Sequence, residues 1–235
     1  MISRVTTRTA VRLWLVVTLT MACGDKAAVT GTQSAPPPAP IAANSYKLSG
    51  LVTEQTARGS RPSSRPYVNA WVQQGSSGYS YWYHHGETSA DTAGRYELTI
   101  PASATVHLQV WKEGFAQPCA HEVPSVQRDL TLNVQLLAID LLTTVPPAAP
   151  GTRNVSGVIY EMANGERAPV ERAFVDYEPI MDFVAAFTFT GVDGRYSLCG
   201  LPVDRAVTIG VGLRGRVAYL TVPPGQTTAD ILLPR

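Results

Sequence analysis

Charge is scarce in this sequence. Only 16% of its 235 residues are Asp, Glu, Lys or Arg, against about a quarter in an ordinary soluble domain. The formal net charge of +1 removes the electrostatic basis for a nucleic-acid binder. Cysteine is rarer still, at 3 residues, too few for a disulfide-dense miniature fold or a four-cysteine zinc site. Long apolar runs are also missing. The most apolar stretch, Leu13–Leu19, falls well short of the about 20 residues that a membrane helix needs. Beyond residue 22 no extended window carries a helical stripe, which excludes a coiled coil or helical bundle. What is plentiful is turn chemistry, with 19 Gly and 18 Pro, beside a 45% hydrophobic content and 10 Tyr. That balance suits many short strands and argues against a disordered chain.

The first 22 residues differ from the rest. Arg4, Arg8 and Arg12 are their only charged side chains, and no acid precedes Asp25. A basic start, a short apolar run and the small Ala22 are the parts of a secretory signal. Leu19-Thr20-Met21-Ala22-Cys23 resembles a bacterial lipobox, with Thr20 where Leu is usual. The resemblance implies acylation of Cys23, which would become the new N-terminus; the other reading is an ordinary cleaved signal with an incidental cysteine. Loss of residues 1–22 removes three of 19 basic residues and none of 18 acids, leaving a net charge of −2. Attachment would then rest on the acyl chains rather than on attraction to anionic lipid. Residues 23–45 form a tether, with Pro36, Pro37, Pro38 and Pro40 favouring an extended spacer of about 60 Å. Gly24 carries no inner-membrane retention signal, which points to an exported protein of the periplasm or cell surface, anchored in the outer membrane.

The remainder is one pattern written twice. Leu48-Ser49-Gly50-Leu51-Val52 returns as Val155-Ser156-Gly157-Val158-Ile159. Pro66-Tyr67-Val68-Asn69-Ala70-Trp71-Val72 reads as the counterpart of Pro169-Val170-Glu171-Arg172-Ala173-Phe174-Val175. Asp91-Thr92-Ala93-Gly94-Arg95-Tyr96 corresponds to Val192-Asp193-Gly194-Arg195-Tyr196, with Thr-Ala as an insertion that splits the first Asp-Gly turn. Within the blocks apolar residues alternate, as in Tyr96, Leu98 and Ile100 or Val207, Ile209 and Val211. A period of two with one wet and one buried face predicts antiparallel sheets packed face to face. The expected fold is all-β: two tandem Greek-key sandwiches of about seven strands each, over 46–142 and 154–235. A Pro-rich linker over 143–153 separates them.

Ser-Gly-x-Val, Pro-x-x-x-Ala-x-Val and Asp-Gly-Arg-Tyr-x-Leu followed by Leu-Pro resemble the carboxypeptidase regulatory-like domain, once in each copy. Thr88 and Thr188 stand before the turn, and Gly114-Phe115 matches that family's Gly-aromatic pair. The resemblance implies a transthyretin-like sandwich, grouped with carbohydrate-binding-like folds. It implies no catalysis and no cofactor, and a role as an accessory module on peptidases, receptors or surface proteins.

Export would place Cys119 and Cys199, one per copy, in an oxidising compartment where an even count favours pairing. Such a bridge would staple one domain to the other; alternatively Cys199 is simply buried. The aromatic hairpin Tyr79-Ser80-Tyr81-Trp82-Tyr83-His84-His85-Gly86-Glu87 belongs to copy one alone. Tyr79, Tyr81 and Tyr83 point one way and Trp82 the other, while Trp71 and Trp111 face outward on their strands. These six rings are the candidate glycan platform, or else they fill the core and cover the sheet. His84-x-x-Glu87 is a fragment seen in zinc carboxypeptidases, but no third ligand converges on it, so no metal is expected. No Gly-x-Ser-x-Gly or phosphate-binding loop occurs either. The sequence thus reads as a non-catalytic envelope lipoprotein that binds or scaffolds. Partners would be the membrane, and a glycan or an envelope protein. Carbohydrate binding through the hairpin and service as a hydrolase accessory are the alternatives.

Overall fold

The computed structural model describes residues 44–76, 79–141, 145–178 and 184–235. The leader 1–22, Cys23, nearly all of the tether and residues 143–144 of the linker lie outside the described residues.

The first sandwich comprises β1 (Ser45–Thr56), β2 (Gly59–Pro62), β3 (Tyr67–Ser76), β4 (Tyr79–Ser89), β5 (Arg95–Pro101), β6 (Thr105–Trp111), β7 (Phe115–Ala116), β8 (Glu122–Val123), β9 (Leu130–Thr131) and β10 (Val134–Ala138). The second comprises β11 (Thr152–Ala163), β12 (Glu166–Pro169), β13 (Phe174–Glu178), β14 (Ala186–Phe189), β15 (Arg195–Pro202), β16 (Val207–Leu213), β17 (Arg216–Val222) and β18 (Ile231–Leu232). In the first, a sheet built on β1 faces a sheet of order β4-β3-β6-β8; in the second, a sheet built on β11 faces β14-β13-β16-β17. Leu48, Ile100 and Leu108 are among the residues filling the first core, and Ile159, Leu198 and Ile209 among those filling the second. Most pairing is antiparallel, but the last strands of each copy return parallel to its first strand: β9 and β10 on β1, β18 on β11. Apolar alternation fixes which face is buried and carries no information on strand direction, so this was not readable from the pattern.

Two of the repeated blocks are halves of one device. A Cβ on Gly50 would lie 1.9 Å from the carbonyl oxygen of Leu132, and one on Gly157 would lie 1.9 Å from that of Ala229. Only glycine lets the returning strand come so close. The same carbonyls accept hydrogen bonds from the Tyr96 hydroxyl at 2.6 Å and the Tyr196 hydroxyl at 2.7 Å. Burial pushes both phenols well above their usual range. Gly in the first block and Tyr in the third therefore hold one carbonyl from two sides.

The structure corrects the alignment of the copies. Tyr67-Val68 pair with Ser89-Thr88, and Phe174-Val175 pair with Phe189-Thr188. Arg65 and Arg172 both adopt positive φ, at 53° and 57°. The counterpart of Tyr67-Val68-Asn69 is therefore Phe174-Val175-Asp176, at the offset of 107 already seen for Gly50 and Gly157. Pairing by Pro-x-x-x-Ala was a coincidence of composition.

The turn before β5 is likewise not split. Gly94 N–H donates to the Asp91 carbonyl and Gly194 N–H to that of Gly191, so both turns have the same length. Both glycines need positive φ, at 77° and 71°. What moves is the carboxylate: Asp91 Oδ1 accepts from Ala93 and Arg95 N–H, whereas Asp193 Oδ1 accepts from Arg195 N–H. The offset is thus 107 before the β3–β4 hairpin and 100 after it, so the whole length difference lies in the aromatic hairpin.

Candidate functional site

The densest concentration of buried polar and aromatic chemistry sits where the two sandwiches meet. After β7 the chain crosses to the second sandwich through Gln117-Pro118-Cys119-Ala120. Cys119 and Cys199 form a disulfide with Cα atoms 4.3 Å apart and a sequence separation of 80. Closing a loop of that size stabilises the fold by about 4.5 kcal/mol in the chain-entropy account. The backbone joins in: Ala120 N–H donates to the Cys199 carbonyl and Cys199 N–H to the Pro118 carbonyl, each at 2.8 Å. Cys119 is thus part of a bridge along β15, and Ala120 enters the second core.

Gln117 is fully buried and makes the crossing possible. Its Oε1 accepts from Val110 N–H at 2.6 Å, while its amide donates to the carbonyls of Leu108 at 3.0 Å and Ala185 at 3.3 Å. One side chain therefore satisfies backbone groups of both sandwiches, each costly to leave unmade in a dry interface. Gln109 works similarly, donating to the Val184 carbonyl at 2.8 Å and accepting from the Trp71 indole at 3.3 Å.

Apolar contact completes the joint. Trp111 stacks on Phe187 with ring centroids 4.2 Å apart and planes 17° off parallel. Ala116 and Leu137 of the first sandwich pack on the same Phe187, and Trp71 packs against the second core.

A chain of ionisable groups runs along one flank. His107 Nε2 lies 3.1 Å from Glu122 Oε2, which also receives Arg205 Nη2 at 2.8 Å. The Arg205 guanidinium in turn interacts electrostatically with Tyr177 of the second core. Burial holds His107 below the usual imidazole range, and burial with His107 nearby pushes His121 down to about 4. The hydrogen bond from His107, aided by Arg205, holds the Glu122 carboxyl below its ordinary range. Neutral imidazoles and an ionised carboxylate are thus the resting state, and the groups are committed to one another. Among the described residues no group of three His, Cys, Asp or Glu has the arrangement to hold a metal ion.

The candidate rings divide between two faces. Trp71, Trp82 and Trp111 share the outer face of the β3 sheet, where Trp82 meets His107 edge-on at 4.5 Å. Tyr81 and Tyr83 lie on the opposite face, 6.4 Å apart, with Tyr83 packed on the first core and Tyr81 exposed. The side chain of Tyr79 is outside the described residues, as is Cys23. His84 Nε2 sits 3.6 Å from Glu87 and 3.3 Å from Asn69 Oδ1, a surface pair. The structure therefore brings together Trp71, Trp111, Cys119 and Cys199 and sets Tyr81 and Tyr83 apart from them. Gln109, Gln117, Glu122, Arg205 and Phe187 were missed. No local motif marks them, because their hydrogen-bond partners across the joint lie 68 to 83 residues away.

No family model matches the chain, and none of the curated proteins does. Among solved structures it is similar to the shaft pilin SpaA from Lactobacillus rhamnosus GG, at 10% identity over 81% of this chain and 97% of that one, with a TM-score of 0.29. It is similar also to GBS52, the minor pilin of Streptococcus agalactiae, at 9% identity over 81% and 96%, with a TM-score of 0.27. A third likeness, to the Bacillus anthracis TIE protein, has 8% identity over 82% and 34% and a TM-score of 0.28.

Proposed function

We propose that this chain is an exported, lipid-anchored envelope protein whose two carboxypeptidase regulatory-like sandwiches act as a rigid, non-catalytic scaffold or binding module. The observation that carries the reading is the joint. A disulfide, a buried glutamine serving both sandwiches and a Trp–Phe stack lock the two units in one orientation. An accessory domain on a flexible string needs none of these; a spacer that must hold a surface in a fixed direction needs all of them. Trp71, Trp111, Gln109 and Glu122 are engaged in this contact. The leader, the lipobox-like Cys23 and the Pro-rich tether suit a body held away from the outer membrane.

Intact mass of the membrane-extracted protein, with and without reductant, is the test. It should show loss of residues 1–22, two ester-linked and one amide-linked acyl chains on Cys23, and the mass gain of one reduced disulfide. Cys23→Ser should move the protein into the soluble fraction. An unacylated Cys23 in membrane-extracted protein, or a membrane fraction indifferent to Cys23→Ser, would sink the anchored reading.

A further inference from the structure

Free sheet edges invite pairing with another chain, and proteins blunt them with prolines, charges, bulges, short strands or covering segments. Among the described residues nearly every edge here is blunted. β2 ends in Arg61-Pro62 and β12 carries Glu166, Arg167 and Pro169. β5 has Arg95, Glu97 and Pro101. β4 has a bulge and the polar residues His84, His85 and Glu87. The crossing segment covers two more, since Phe187 N–H of β14 donates to the Gln117 carbonyl and Cys199 of β15 is bridged by Cys119. β7, β8, β9 and β18 are two residues long.

β17 is different. It is seven residues long, pairs only with β16, and contains no proline. Its one charge, Arg216, is at the end and engaged with Glu161 at 2.7 Å. Ala218 and Leu220 pack against the core, while Val217 is 58% and Tyr219 63% exposed. Beside it, Gly210 of β16 leaves room for the Asp176 carboxylate and the Tyr219 ring, and the face of Gly212 is open. Val, Tyr and Thr are also strong strand formers, so the edge is stiff and ready to pair.

We propose that β17 is a homotypic interface, at which a second copy of this chain adds antiparallel and joins two four-stranded sheets into one of eight strands. The strand is complementary to itself. A two-fold axis at Tyr219 sets Tyr219 opposite Tyr219 and Val217 opposite Thr221, and places each Arg216 opposite Val222. Like charges never face one another, and the paired residues are the β-branched and aromatic kinds that favour cross-strand contact. The pairing would make a two-headed scaffold with its tethers on separate protomers.

Sedimentation equilibrium of the full chain in detergent tests this. The wild type should associate to a dimer as concentration rises. Tyr219→Lys and Tyr219→Glu, which place like charges opposite each other, should each weaken association at least about tenfold. An equimolar mixture of the two should restore it, and their melting temperatures should match the wild type because the ring is exposed. A wild type that stays monomeric into the millimolar range overturns the proposal, as does a dimer indifferent to both substitutions or a mixture that fails to associate. Capture of some other protein by a monomeric wild type would also count against it.

Discussion

The two sandwiches follow one ground plan and use the same face of it differently. In the first, the outer face of the β3 sheet carries Asn69, Trp71, His107, Gln109 and Trp111, and much of it is covered by the second sandwich. In the second, the matching face of the β13 sheet carries Phe174 and Asp176 beside Gly210 and Gly212. Asn69 of the first copy, hydrogen-bonded to Gln109 and His84, corresponds to Asp176 of the second. Asp176 Oδ1 is buried without a hydrogen-bond partner, and burial pushes its carboxyl up to about 6. A duplicated framework has thus been kept wherever it holds the fold and rewritten on the exposed side of one sheet. Glu54 and Glu161 show the conserved half. At the same point of each first strand, Glu54 draws Arg61 and Lys112, and Glu161 draws Arg216 and Arg235.

The largest expected effect breaks the contact between the copies. Cys119→Ala with Cys199→Ala should lower unfolding stability by about 4 kcal/mol, read as a shifted midpoint in urea. A loss below about 1 kcal/mol would mean that the remaining contacts already hold the sandwiches together. Next, the shared plan is tested by paired substitutions. Gly50→Ala and Gly157→Ala should each cost about 3 kcal/mol or more, because a methyl group cannot occupy the position of a backbone carbonyl. If one is tolerated and the other is not, the copies do not share the device.

The smallest effect sharpens the difference. Asp176→Asn, which gives the second copy the kind of residue the first has, should stabilise the protein by about 1–2 kcal/mol at pH 7. A carboxyl whose folded value is raised from 3.8 to about 6 binds its proton more tightly when folded. Its cost therefore grows as pH rises from about 4 to 6 and is fully present above that range. The advantage of the variant should shrink as the pH is lowered through 6 and vanish near 4. A constant advantage across that range would show that the carboxyl is not the cause.

Much of the fold was legible because its determinants are local. Alternation over 95–100 and 207–211 identified strands, and the Gly-Arg-Tyr and Ser-Gly blocks marked the duplication. The disulfide followed from counting once Cys23 was set aside as the acylation candidate. The aligned middle block was misread because Pro-x-x-x-Ala occurs by chance four residues out of register, and only strand pairing shows that Phe174 stands where Tyr67 does. The surroundings of the candidate rings are likewise a tertiary matter. On a strand taken alone Trp71 and Trp111 face outward; the fold packs Trp71 against the second core and stacks Trp111, still 37% exposed, on Phe187.

The sequence by itself determined that each copy would be a sandwich, which side chains would fill it and where its tight turns would fall. Those choices depend on neighbours one to five residues away, through alternation, glycine φ and the side-chain bonds of Asp91 and Asp193. Only the tertiary structure decided the parallel return of β10 and β18, the burial of Gln117 between two units and the exposure of β17. Each of these depends on groups brought together from distant parts of the chain, and a carbonyl held by Gly50 and Tyr96 leaves no trace in the local pattern of Leu132.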